Sequence, residues 1–189
     1  MQPIHPVPSG VLLGALLAVA CPLHAEQAHV HGYATLDVAV DGNTLALRLE
    51  SPLDSFVGFE RAPKNEKERA AVRRMAQALR SEQAFLPSAA AACRLKDVAL
   101  SSPVLDPALL LPAAQGQPPA QPAAEAGHKG HAEILADYTY ECATPAALRG
   151  LEVGLFKSFT GLKRLDVQVA APQGQTSARL TTKKTALAW

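Results

Sequence analysis

The chain has 189 residues, with 18 basic and 17 acidic side chains for a formal charge of +1, and 48% apolar against 5% aromatic residues. That composition is globular. It excludes an acidic disordered polymer and a basic stripe built for a phosphate backbone, so nucleic acid is not an expected partner.

Residues 1–25 hold no Lys, Arg, Asp or Glu, and residues 11–20 (VLLGALLAVA) form an unbroken apolar run. The run has the length of a signal-peptide core and is too short to span a bilayer. Leu23-His24-Ala25 supplies a small residue before the cut, so residues 1–25 are expected to be a signal peptide. A second route, lipidation of Cys21 after Ala18-Val19-Ala20, meets alanine at Ala18 where a leucine is wanted. Removal of the signal leaves about 164 residues (26–189), enough for a single α+β domain with its own core and no transmembrane segment. Two cysteines remain, Cys93 and Cys142. In an oxidising compartment they read as a disulfide, the alternative being two buried thiols.

Along the mature chain, Leu36, Val38 and Val40 alternate with polar or small residues, Asp41-Gly42-Asn43 intervenes, and Leu45, Leu47 and Leu49 resume the alternation. This predicts a β-hairpin with one buried face, its second strand stopped by Pro52. A helix follows. Asn65 is placed to cap it, Glu68 completes a capping-box spacing, and Val72, Met75, Ala76 and Leu79 make one apolar stripe. Arg69, Arg73 and Arg80 are expected on a solvated face.

Further strands are expected at 94–100, 132–142, 151–156, 164–170 and 177–182, the last two joined around Pro172-Gln173-Gly174. Between them, residues 103–127 turn to Pro, Ala and Gln, a composition that predicts a mobile loop without a core. The fold class is therefore α+β: an antiparallel β-sheet built from hairpins, one principal α-helix and a long disordered Pro/Ala-rich insertion.

The four histidines beyond the signal form two pairs, His29-Val30-His31 and His128-Lys129-Gly130-His131. Residues two apart on an extended strand share a face, so His29 and His31 can turn toward one cation. The second pair runs into a strand whose odd positions are His131, Glu133, Leu135 and Asp137, with Ile134, Tyr138 and Tyr140 on the other side. If the two segments lie near each other, three imidazoles and a carboxylate converge. Such a set suits zinc and, less selectively, Cu2+ or Ni2+. Asp137 reads equally as a solvent-facing strand residue.

No Gly-x-Ser-x-Gly elbow, His-Glu-x-x-His helix, Gly-rich phosphate loop or Cys-x-x-Cys occurs, and an enzyme is not expected.

Taken together, His29-Val30-His31-Gly32, Leu36-Asp37-Val38-Ala39-Val40-Asp41-Gly42, Glu50-Ser51-Pro52, Val57-Gly58-Phe59-Glu60, Tyr138-Thr139-Tyr140-Glu141-Cys142 and Pro172-Gln173-Gly174 resemble the ZrgA family of exported bacterial zinc-uptake proteins. The resemblance covers nearly the whole mature chain. It implies a Gram-negative periplasmic protein that captures or buffers zinc and works beside a zinc importer, with a zinc ABC transporter as the expected partner. It also implies ligand positions at His29, His31, His131 and Glu133, with His128 beside them and Glu60 a further candidate.

Members usually carry a long His- and Asp-rich stretch before the Tyr-x-Tyr-x-Cys strand, whereas this one is Pro- and Ala-rich with only His128 and His131. Members also tend to have His after the Val-Gly-Phe-Glu segment. Here Arg61 stands in that place, and a fixed guanidinium charge cannot ligate a metal. A second reading, from another class, is a secreted interaction module whose sheet edge or Pro-rich loop engages a partner protein, with the histidines incidental.

Overall fold

The computed structural model describes residues 31–112 and 132–189. The expected signal peptide, and with it His29, His128 and His131, lies outside the described residues. In chain order the elements are strands β1 (Tyr33–Asp41) and β2 (Thr44–Pro52), helices α1 (Asp54–Val57) and α2 (Glu66–Leu79), strands β3 (Phe85–Pro87), β4 (Cys93–Ser101), β5 (Glu133–Cys142) and β6 (Gly150–Val153), helix α3 (Leu155–Ser158), and strands β7 (Arg164–Ala171), β8 (Gly174–Thr181) and β9 (Ala186–Ala188). They build a six-stranded sheet in the order β4-β5-β2-β1-β7-β8 and a three-stranded sheet in the order β3-β6-β9.

The expected hairpin is the centre of the large sheet. Leu36 faces Leu49, Val38 faces Leu47 and Val40 faces Leu45, while Gly42 at φ +56° opens the two-residue turn between Asp41 and Thr44. Leu36, Leu45, Leu47 and Leu49 are fully buried, each contributing about 1.5–3 kcal/mol by leaving water. β5 adds Ile134, Ala136, Tyr138 and Tyr140 to the same buried face, and β7 adds Leu165, Val167 and Val169. The opposite face of the sheet carries exposed Asp37, Arg48, Asp137 and Gln168. Asp137 is thus a solvent-facing strand residue, with Arg48 Nη1 at 3.5 Å from its carboxylate.

Helix α2 packs its stripe of Val72, Met75, Ala76 and Leu79 into the core. The buried Tyr138 hydroxyl donates to the Leu79 carbonyl at 2.9 Å, and the Tyr140 hydroxyl donates to the Phe85 carbonyl at 3.1 Å. Burial pushes the Tyr138 phenol well above its ordinary range and Tyr140 up to about 12. Both therefore stay neutral donors and tie the helix end and β3 to the sheet. The Asn65 side chain accepts from the Glu68 N–H as the capping spacing predicts, but the Glu68 carboxylate reaches the Lys64 N–H rather than that of Asn65.

The architecture is the expected one, mostly antiparallel with one principal helix, and it departs from the sequence reading in four places. β1 and β7 pair in parallel, with Tyr33 opposite Arg164. Residues 151–156 are not one strand: β6 ends at Val153, Gly154 leaves the extended conformation as the N-cap of α3, and a Cβ there would stand 2.0 Å from the Gln83 carbonyl oxygen.

Arg80 is not on a solvated face. Its guanidinium donates to the Val98 carbonyl and, at 2.9 Å through Nη2, to the Leu110 carbonyl. Arg69 and Arg73 pair with Glu66 at 2.8 and 2.7 Å and are half-buried, the Arg73 Nε atom fully so. The first part of the Pro-rich stretch also packs: a 3-10 turn at Pro107–Leu109 lays Leu105, Leu109 and Leu110 into the core. Residues 113–131, which take in the remainder of that stretch, lie outside the described ones. Among the described residues no helix is long and apolar enough to cross a membrane.

Cys93 and Cys142 face each other across β4 and β5 and are joined in a disulfide spanning 49 residues of sequence. Replacing both by Ala should lower unfolding free energy by about 4 kcal/mol through loop-closure entropy in the unfolded chain. Urea denaturation of the double variant against the oxidised parent measures it. A second prediction concerns Arg80: Arg80→Met keeps the aliphatic stem but leaves two backbone carbonyls without their charged donor, at about 1–3 kcal/mol. An unchanged urea midpoint would return Arg80 to the solvated face.

Candidate metal site

One end of the large sheet gathers the residues that matter here. β2 finishes at Pro52, and the Leu53 N–H donates to the Ala132 carbonyl at 2.8 Å, which ties the exit of β2 to the entry of β5. The chain then turns at once into α1. Asp54 is its first residue, and Gly58 ends it in the left-handed conformation at φ +81°, its N–H on the Asp54 carbonyl at 2.9 Å. No Cβ contact forbids a side chain at Gly58, so glycine is required by the backbone turn alone. Phe59 and Glu60 follow.

The start of β1 reaches the same place. Gly32 has φ +76°, and a Cβ there would stand 2.8 Å from the Gly161 carbonyl oxygen. The Gly32 carbonyl accepts from the Lys163 and Arg164 N–H groups at 2.8 and 3.0 Å. Gly161 in turn lies against α1, where a Cβ would meet the Ser55 carbonyl oxygen at 2.4 Å. Phe56 and Phe159 meet edge to face, ring centroids 4.6 Å apart.

The outcome is a cluster of His31, Asp54 and Glu60. His31 Nδ1 is hydrogen-bonded to the Asp54 carboxylate and lies 3.7 Å from Glu60 Oε1. One ligand atom from each of the three lies within 4.8 Å of the others, and this is the one such group of three or more His, Cys, Asp or Glu among the described residues. Asp54 is half-buried, while His31 is 75% exposed and Glu60 39% exposed, so the cluster opens to water.

The hydrogen bond that the Asp54 carboxylate accepts from the imidazole, then its charge and that of Glu60, raise the His31 pKa above the ordinary 6.5. Two carboxylates thus converge on the one imidazole nitrogen, and both favour a proton there in competition with a cation. Ligand atoms of a tetrahedral zinc lie about 3.4 Å apart at bond lengths near 2.1 Å. The 3.7 Å between His31 Nδ1 and Glu60 Oε1 is near that spacing, the hydrogen-bonded His31–Asp54 pair would have to part to admit an ion, and one imidazole with two carboxylates is a donor set that zinc accepts.

The sequence expectations meet this cluster in part. His31 and Glu60 are in it. Glu133 is not: it begins β5 opposite Pro52, with β2 between it and β1. His29, His128 and His131 lie outside the described residues. Asp54 escaped the sequence reading, because α1 has four residues and shows no periodicity. The signal that could have found it is an acidic residue directly behind a Pro-terminated strand, six positions before Glu60.

The family model of the ZrgA family zinc uptake protein matches residues 28–189. The chain belongs to this family. The match spans all three cluster residues, both disulfide cysteines and every strand of the two sheets. No curated protein matches the chain. Membership ties this ZrgA-family chain to zinc uptake, and the His31 cluster is where its described residues offer a cation three donors.

Proposed function

We propose that this chain is an exported, periplasmic zinc-binding protein that captures or buffers the ion and assists its uptake by handing it to a zinc transporter, without catalysing a reaction. Residues 1–25 are its signal peptide and residues 26–189 a single domain. His31, Asp54 and Glu60 take the ion. The observation that carries this reading is the convergence of two carboxylates on one imidazole nitrogen, in a family described by zinc uptake.

Three protein donors leave one position of a tetrahedral ion open. A closed four-ligand site would hold zinc as a structural element. An open, exposed position lets a receiving ligand attack before the last protein bond breaks, as transfer to a second protein requires. His29, His128, His131 and Glu133 are the candidates on this chain for that fourth position. Cu2+ and Ni2+ accept the same donors, and zinc is preferred here on family membership.

Competition with a chromophoric chelator at pH 7.5 tests the reading. His31→Ala, Asp54→Asn and Glu60→Gln should each weaken zinc binding by at least about tenfold, while circular dichroism and melting of the zinc-free chain stay close to the parent. His128→Ala with His131→Ala reports whether the second pair contributes. Unchanged affinity in all three cluster variants overturns the assignment.

The pH dependence has a definite sign. Zinc must displace the proton on His31, whose pKa is raised by Asp54 and Glu60, so affinity should begin to fall above pH 6.5 as pH decreases and go on falling toward pH 5. In Asp54→Asn the largest cause of the shift is gone, and the fall should move to lower pH even as the affinity itself drops. A pH profile of the dissociation constant for both chains measures this.

A further inference from the structure

Of the three cluster residues, Asp54 rides on a helix and His31 is anchored through the Gly32 carbonyl, but Glu60 lies on irregular chain between α1 and α2. A carboxylate on such a segment would lose much of its affinity for a cation to the entropy of ordering it. We propose that the Arg61–Glu68 ion pair is the positioning device of the metal site, holding Glu60 where the ion needs it. This inference rests on the reading that His31, Asp54 and Glu60 bind zinc.

Arg61 offers the planar fork that a carboxylate accepts at two points. Its Nη1 donates to Glu68 Oε2 at 2.7 Å and its Nη2 to Oε1 at 2.9 Å. Nη1 also donates to the Ala62 carbonyl at 3.0 Å, and the guanidinium carbon lies 5.0 Å above the Phe59 ring. Arg61 therefore grips the chain on both sides of Glu60. Glu68 accepts in addition from the Lys64 N–H at 2.6 Å, so it closes the 61–68 loop at two places.

Glu68 itself is fixed. It sits in the first turn of α2, where its N–H donates to the Asn65 cap, and that helix is seated by Val72, Met75 and Leu79 in the core. Rigidity passes from the core through α2, Glu68 and Arg61 to Glu60. From the other side Gly58 bonds back to Asp54. The segment carrying Glu60 is thus held at both ends, and its two anchors lead to different parts of the core.

Charge alone would assign Arg61 the opposite effect. A guanidinium one residue from a carboxylate that binds a cation repels that cation, so removing it should tighten binding if electrostatics were its whole role. Glu68 offsets this charge locally, which lets the fork serve as a support without cancelling the negative field of Asp54 and Glu60. The sign of the Arg61→Ala effect on zinc affinity is therefore diagnostic.

The test is zinc titration by chelator competition on the full chain and on Arg61→Ala, Arg61→Lys, Glu68→Gln, Glu60→Ala and the double variant Glu60→Ala/Arg61→Ala. Arg61→Ala should weaken binding about tenfold, as loss of a residue that orients a ligand does. Arg61→Lys, which keeps the charge and loses the fork, should weaken it too. In the Glu60→Ala background the same Arg61→Ala change should alter affinity less than twofold, because nothing remains to be positioned.

Circular dichroism of each zinc-free variant should match the parent. Tighter or unchanged binding in Arg61→Ala, together with a clear loss in Glu60→Ala, overturns the positioning role and leaves the metal site standing. An equal loss with and without Glu60 also overturns it. No loss in Glu60→Ala removes Glu60 from the site and the positioning role with it.

Discussion

Gly161 lies so close to the Ser55 carbonyl that a Cβ would stand 2.4 Å from its oxygen, and Gly32 is as tightly opposed to the Gly161 carbonyl at 2.8 Å. Three stretches of backbone with no sequence proximity are stacked here without side chains between them: the entry to β1, the loop before β7, and α1. Everything at this end of the sheet depends on that contact. The two N–H bonds from Lys163 and Arg164 to Gly32 set the parallel register of β1 and β7. The seat of α1 on Gly161 sets how far Asp54 stands from His31. A methyl group at either glycine would push apart elements whose own cores are otherwise complete, and the His31–Asp54–Glu60 cluster would be the first thing to lose its geometry.

The elements that could be read in advance are those whose burial repeats within one element. The β1–β2 hairpin alternates leucine and valine with polar residues because one face of its sheet is buried and the other wet, and α2 spaces its stripe at helical intervals for the same reason. Elements of three or four residues, such as α1, α3, β3 and β9, carry no period and are defined by what they touch. The parallel β1–β7 pair and the turn after Val153 belong to the same class. Composition also misled where it dominated the eye: prolines at 103, 107 and 112 hide Leu105, Leu109 and Leu110, which α2 holds through Arg80.

At the His31 cluster the division is similar. A histidine next to a glycine before a strand is visible as a candidate ligand, and Glu60 was visible through resemblance to the family. Asp54 was not, since its role comes from the fold of α1 against Gly161 and Gly32. From the sequence alone, Arg61 is only a cation that cannot ligate a metal. The bidentate pair with Glu68 gives that cation a different part: it occupies a carboxylate of α2 and leaves Glu60 free to face His31. A substitution that removes a donor atom can in this way add order to the donors that remain.

The scaffold and the cluster are also separable in energy. The hairpin leucines, the α2 stripe and the Cys93–Cys142 disulfide are remote in kind from any ion, and none of them needs one to be buried or bonded. A zinc finger, by contrast, folds only when its metal is bound, so the ion cannot leave without the fold. For a protein proposed to handle zinc as cargo, the arrangement seen here has a direct consequence: loading and release change the occupancy of one exposed corner while the sheet stays as it is. Asp54 and Glu60 both favour the protonated form of the His31 imidazole, so a proton competes with a cation for the same corner. Protonation on release would offset part of the charge that the two carboxylates carry, and so would lower the cost of giving up a bound ion.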